Sequence, residues 1–212
     1  MTITVLTDNP NSWIMPFIEE LKIYLRENHE VAHVFKSEEV AQGDILFILS
    51  CEKLVKREVL SLNENNIVVH PSDLPKQRGW SPLTWQILEG KNTIPICLFE
   101  AAAEADDGSV YLRDKIELDG TELIEETKQI QGEVTIRMIK KYLKEKETLL
   151  PIPQKGEPSF CTRRMPQDSE ISTSDSIENQ FNKLRVVDNQ RYPAFFYNKG
   201  EKYILKIYKE NK

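Results

Sequence analysis

The chain has 212 residues, 40% hydrophobic and 29% charged, a balance that supports one packed domain with a small appendage and excludes global disorder. Lys and Arg number 28 against 34 Asp and Glu, for a formal charge of −6, which disfavours a broadly basic nucleic-acid binder. No apolar run approaches the roughly 20 residues that span a bilayer, and no basic stretch with a cleavage site opens the chain. Cys51, Cys97 and Cys161 lie far apart without a CxxC, so a reducing, cytoplasmic setting without disulfides or a metal site is expected.

Thr2 to Thr7 is short, apolar and β-branched and predicts a buried strand. Asp8-Asn-Pro-Asn-Ser is a turn cluster able to cap a helix, and Ile14, Phe17, Ile18, Leu21, Tyr24 and Leu25 recur at helical spacing up to about Glu27. Val31 to Phe35, Asp44 to Leu49 and Asn66 to His70 follow as strands, an order that predicts a parallel sheet with crossover helices. Pro82 near the start of Ser81 to Glu89 marks a short helix. Thr93 to Ala101 and Ser109 to Leu118 read as strands on either side of an acidic loop. Thr121 to about Glu147 is the longest helical pattern, with Leu123, Ile130, Val134 and Met138 on one side and Gly132 as a weak point. Residues 150–172 are rich in Pro, Gly and polar side chains and read as a surface linker. Asp175 and Glu178 resemble a capping box for a helix bearing Ile177, Phe181 and Leu184, and the runs around Asn198-Lys-Gly predict a hairpin. The expected organisation is a main domain at 1–149, a linker at 150–172 and a helix-and-hairpin appendage at 173–212.

Chemistry concentrates where the apolar strand ending in His70 meets a loop containing Pro71, Pro75, Gly79 and Pro82. Open α/β sheets bind ligands beyond the carboxyl ends of their strands, and an imidazole there suits acid–base work. A strand-end His packed against its own loop accounts for the same residues. Asp106 and Asp107 before Gly108 make a turn, or supply a carboxylate that orients an imidazole. His29 and His33 read as surface or capping residues, and Lys140-Lys141 as part of a solvated face.

The pattern His70-x-Ser72-x-Leu74-Pro75-x-x-Arg78-Gly79-x-x-Pro82-x-x-Trp85, followed by Asp106-x-Gly108, resembles the N10-formyltetrahydrofolate-dependent formyltransferases. Their mark is Asn-x-His, an SxLPxxRG-like loop and a downstream DxG. Arg163-Arg-Met-Pro-Gln-Asp-Ser resembles the segment after their catalytic domain. Ser81 to Lys91 and Leu184 to Phe196 are most similar to formyltransferases of nucleotide-linked 4-amino sugars, including those near pseudaminic-acid pathways.

The resemblance implies an α/β, Rossmann-like fold with a parallel-rich sheet and flanking helices. It implies formyl transfer from N10-formyltetrahydrofolate to a primary amine, with tetrahydrofolate as product. The acceptor implied is a small molecule, a UDP-linked 4-amino-4,6-dideoxy sugar for a surface glycan, with no nucleic acid and no membrane as partner. His70 would stabilise the developing oxyanion, and Asp106 would set the imidazole's tautomer and help remove the amine proton. The family's Asn position is Val68 here, and Asn66, two residues further back on the same strand face, is the candidate in its place. Leu49, Leu54 and Val55 would line the folate cleft, and Ser72, Leu74, Pro75, Arg78 and Gly79 its rim; a rigid turn with Trp80 and Trp85 packed beneath it accounts for the same loop residues. Asp8, Asn9, Trp13, Lys76 and Gln77 are the candidate acceptor contacts, and Tyr192 or Phe196 would stack on the base. The acidic balance and weakly basic tail weigh against methionyl-tRNA as acceptor. Alternatives are a non-catalytic folate- or nucleotide-binding module, a formyltransferase for another small amine or methionyl-tRNA, and a homodimer contact through the aromatic hairpin.

Overall fold

The computed structural model describes residues 1–210. Strands β1 (Thr2–Leu6), β2 (Glu30–Val34), β3 (Gly43–Ile48) and β4 (Asn63–His70) are parallel, and β6 (Thr93–Glu100) and β7 (Val110–Glu117) extend the sheet antiparallel. The spatial order is β2-β1-β3-β4-β6-β7. A two-residue strand, β5 (Arg78–Gly79), lies outside this sheet and leads into the short helix α3 (Pro82–Leu88). Ile3, Val5, Ile45 and Phe47 face one side, against α1 (Met15–Arg26) and α4 (Ile124–Glu145). Leu6, Leu46 and Ile48 face the other, towards Val59 and Leu60 of α2 (Arg57–Leu60). Burial on both faces is why these strands read as continuous apolar runs. The expected Rossmann-like, parallel-rich sheet is present, and no helix among the described residues is long and apolar enough to cross a membrane.

Helix α1 starts at Met15, and no side chain caps its first turn, so the Asp8 cluster does not serve as its cap. Gly132, the weak point of α4, has a packing reason. A Cβ there would lie 2.4 Å from the ring of Phe17, so the missing side chain lets α1 and α4 approach. Gly132→Ala is therefore expected to destabilise the fold by about 1–3 kcal/mol despite alanine's better helix propensity. Chemical denaturation checks this, and an unchanged or raised midpoint would remove the packing role.

Residues 150–172 are not a free surface linker. Ile152 exchanges both backbone hydrogen bonds with Val110, at 2.8 and 2.9 Å. β8 (Phe160–Cys161) then pairs in parallel with β5. The backbone groups of the loop after β4 need partners, and this segment supplies them.

The tail contains α5 (Phe181–Arg185) and the antiparallel hairpin of β9 (Ala194–Asn198) and β10 (Glu201–Leu205). Lys199 and Gly200 turn with φ of 50° and 85°, the paired positive values of a tight hairpin turn. The expected capping box does not form. The Gln180 side chain accepts the Ser172 N–H and donates to the carbonyls of Ser172, Asp175 and Ser176, satisfying that stretch as a turn. Ile177 is left exposed ahead of α5.

Candidate active site

β1, β3 and β4 run in parallel, so their carboxyl ends share one edge of the sheet, with His70 closing β4. His70 is 7% exposed. Its Nε2 lies 3.0 Å from the Gln77 carbonyl. A carbonyl only accepts, so Nε2 carries the proton in this contact and Nδ1 is left facing outward from it. Nδ1 faces Asp106 Oδ2 at 3.7 Å, longer than a hydrogen bond but within reach of direct charge interaction. The same Oδ2 accepts the Gly79 N–H at 2.8 Å. The two residues that fix the imidazole are both left-handed non-glycines, Gln77 at φ 56° and Asp106 at φ 54°. Such strain persists only where surrounding contacts determine it, and it concentrates at functional sites.

The DxG spacing has a steric cause. A Cβ on Gly108 would lie 1.6 Å from the Glu100 carbonyl oxygen, so only glycine lets the loop re-enter the sheet against the end of β6. Asp106 is then presented two residues earlier, towards His70. Asp107 points elsewhere and pairs with Arg78 Nη2 at 2.5 Å. Glu100 is itself engaged, accepting the Asn66 N–H, the Asn65 amide and the Tyr111 hydroxyl. Burial raises its carboxyl pKa, and Tyr111 beside it is pushed up to about 12 by burial first and by the Glu100 charge second.

The loop after β4 is anchored from below. Ser72 is fully buried, its N–H bonds the His70 carbonyl at 2.9 Å and its own carbonyl receives the Cys97 thiol. Leu74 and Pro75 are buried, and Leu74 packs with Cys97, Phe99 and Val110. Arg113 Nη2 donates to the Leu74 carbonyl at 2.8 Å. Arg78 is buried and clamps the acidic loop through Asp107. Of the expected rim residues only Gly79 is partly open, so Ser72, Leu74, Pro75 and Arg78 support the site rather than border it. Trp80 and Trp85 do not pack beneath this loop. Arg163 lies over the Trp80 ring at 4.8 Å, and Trp85 Nε1 donates to the Thr162 carbonyl.

Other expected contacts are placed elsewhere. Asn66 lies four residues, about 13 Å, back along β4 from His70, and its side-chain amide donates to the Leu60 carbonyl at 3.0 Å. Among the described residues no hydrogen bond joins it to His70 or Asp106. Leu49 is buried in the main core, Val55 packs on the opposite face, and Leu54 is 70% exposed, so the three do not line one cleft. Asp8 Oδ2 accepts the backbone N–H groups of Glu52 and Lys53, tying the β1 and β3 loops together. Asn9 closes a local turn on the Asn11 N–H, and Trp13 packs against the core beside Phe17. Tyr192 and Phe196 belong to the tail, where the Tyr192 carbonyl receives the Ser169 hydroxyl and Phe196 stacks on Tyr203.

Lys76 and Gln77 do face solvent space. They line an open recess of about 660 Å³ with Trp85, Glu89, Phe160 and Cys161. Neither His70 nor Asp106 lines it, and the geometry of the imidazole, not the size of the recess, marks the site. Burial raises the pKa of all three thiols, Cys51 to about 12, so none is prepared as a nucleophile. Sequence reasoning missed Gln154, whose side chain bridges the loop after β4 and the acidic loop. It lies in a stretch without periodicity or motif, so nothing local marks it.

A family model for formyl transferases matches residues 13–139, more than half of the chain. The chain belongs to the formyl transferase family. Among curated relatives, the methionyl-tRNA formyltransferase of Rickettsia bellii (strain RML369-C) is 22% identical over 179 residues, covering 84% of this chain and 57% of the relative. The chain thus spans about half the length of the curated relatives it matches. Solved structures share the fold. Methionyl-tRNA formyltransferase from Clostridium thermocellum aligns with a TM-score of 0.84 at 20% identity, covering 100% of this chain and 94% of that one. A 4-N formyltransferase from Francisella tularensis aligns with a TM-score of 0.78 at 15% identity, covering 100% and 98%. HypX from Aquifex aeolicus in complex with tetrahydrofolic acid aligns with a TM-score of 0.76 at 20% identity, covering 97% and 37%.

Proposed function

We propose that this formyl transferase moves a formyl group from N10-formyltetrahydrofolate to the amine of a UDP-linked 4-amino-4,6-dideoxy sugar. The single observation that carries the formyl-transfer reading is the His70–Asp106 pair, 3.7 Å apart at the carboxyl edge of β4 in a chain of this family. The residues at the reacting end fit the donor: an oriented imidazole, a carboxylate and the partly open Gly79 backbone. Leu54, exposed in the loop after β3, is an accessible apolar residue at this edge for its ring system. The bound donor would supply the formyl group. With Nε2–H committed to the Gln77 carbonyl, which orients the ring, Nδ1 is where His70 takes up or returns a proton, and the Asp106 carboxylate stabilises the positive charge when that proton arrives. Residues 1–149 form the catalytic domain in this reading and 173–212 its appendage.

The sugar acceptor draws support from the net charge of −6, which suits a compact substrate better than an extended polyanion, and from the fold shared with a 4-N formyltransferase. A second reading, methionyl-tRNA as acceptor, is favoured by the curated relatives, which are methionyl-tRNA formyltransferases. Competition between the two acceptors at equal concentration separates them. The expected kcat/KM favours the amino sugar by at least ~100-fold. A preference for the charged tRNA would transfer the assignment to the second reading.

A further inference from the structure

We propose that Gln154 is a positioning residue that sets the Asp106 carboxylate against His70, making the segment after α4 a working part of the site. Its kinetic consequence rests on the formyl-transfer reading, while its geometric consequence does not.

The Gln154 amide uses both of its donors and its oxygen across two loops. Oε1 accepts from Arg78 Nη2 at 2.7 Å. Nε2 donates to the Asp106 carbonyl at 2.8 Å and to the Gly108 carbonyl at 2.7 Å. Arg78 belongs to the loop that His70 begins, and Asp106 and Gly108 to the acidic loop, so one side chain fixes the separation of the two groups that carry the chemistry. The Arg78–Asp107 ion pair closes the same ring of contacts.

Gln154 is itself held on both sides. Ile152 exchanges backbone hydrogen bonds with Val110, and the Ser159 carbonyl accepts the Arg78 N–H at 2.9 Å. Asp106 needs such a hold, because its left-handed backbone is unfavourable for a non-glycine residue unless its surroundings impose it. Only a side-chain amide offers one acceptor and two donors in a single plane at this reach. A glutamate would keep the acceptor for Arg78 but turn an oxygen towards two carbonyls.

The test uses the full chain with Gln154→Glu and Gln154→Ala, read two ways. The first reading is amide exchange at Gly79, whose N–H is held by the Asp106 carboxylate. We expect it to rise at least ~10-fold in both variants, with Ile96 in the middle of β6 unchanged. The second is steady-state kinetics, where kcat is expected to fall about 10- to 100-fold with KM for donor and acceptor nearly constant, as for a displaced catalytic group. Wild-type exchange at Gly79 in a folded variant would overturn the proposal, whatever the turnover. Absence of formyl transfer in the wild type, with Gly79 exchange still accelerated in the variants, would defeat the formyl-transfer reading and leave the positioning intact.

Discussion

Replacing His70 by Asn is expected to lower kcat for formyl transfer by about 10²- to 10⁴-fold, the range for loss of a positioned general acid–base. That is roughly 3–5 kcal/mol of barrier. The imidazole is held by the Gln77 carbonyl on one nitrogen and faces Asp106 on the other, and an asparagine amide reproduces neither the reach nor the proton uptake at Nδ1. The fold should survive, since the change removes one side-chain hydrogen bond, worth about 1 kcal/mol. KM should change little, because the group acts on the reacting atoms and the loop below it is anchored independently through Ser72, Leu74 and Arg113. Turnover near the wild-type value would remove His70 from its assigned role. Asp106→Asn makes a useful companion, keeping an acceptor for the Gly79 N–H while removing the charge beside Nδ1.

The largest expected effect on stability is at Glu122. Its Oε2 lies 2.9 Å from Nη2 of Arg185, whose side chain is 1% exposed. The same guanidinium donates to the Glu122 carbonyl and to Asn92, tying α5 to the loops on either side of the antiparallel strands. Glu122→Ala leaves that cation buried without its counter-charge and removes the acceptor for the N–H groups of Asp119 and Gly120. Breaking one side of a buried pair costs about 3–5 kcal/mol. Urea unfolding should show a loss of that size, and a loss below about 1 kcal/mol would mean the tail is not held through this pair. Arg185→Met is expected to be milder, because the Glu122 carboxylate keeps its backbone donors.

The strands buried on both faces were legible because an apolar, β-branched run has few other uses, and the hairpin because Lys199-Gly200 supplies the turn its strands require. The placement of His70 beside Asp106 was implied by the family resemblance, and the structure adds why Asp106 is presented there, through Gly108 against Glu100. What failed to show depended on contacts between distant segments. Asn66 shares strand parity with His70, yet the Leu60 carbonyl takes its amide. Gly132 is a weak point by helix propensity, and only the distant Phe17 ring against it explains the missing side chain. Composition marks 150–172 as a linker, but composition does not reveal that Ile152 pairs with the start of β7 or that Gln154 and Ser159 bind the site loops. Val68, at the position where the resemblance calls for Asn, packs between the Leu46–Ile48 cluster and the Leu74–Phe99 cluster, so His70 has no side-chain amide from that position.

That apolar Val68 makes formyl transfer itself the decisive measurement. The purified protein is mixed with N10-formyltetrahydrofolate and a panel of primary amines that includes UDP-linked 4-amino-4,6-dideoxy sugars, and products are read by mass spectrometry. The expected result is an N-formylated amino sugar formed with tetrahydrofolate and lost in His70→Asn. Tight folate binding with no formylated product from any amine would contradict it and leave a binding module in its place.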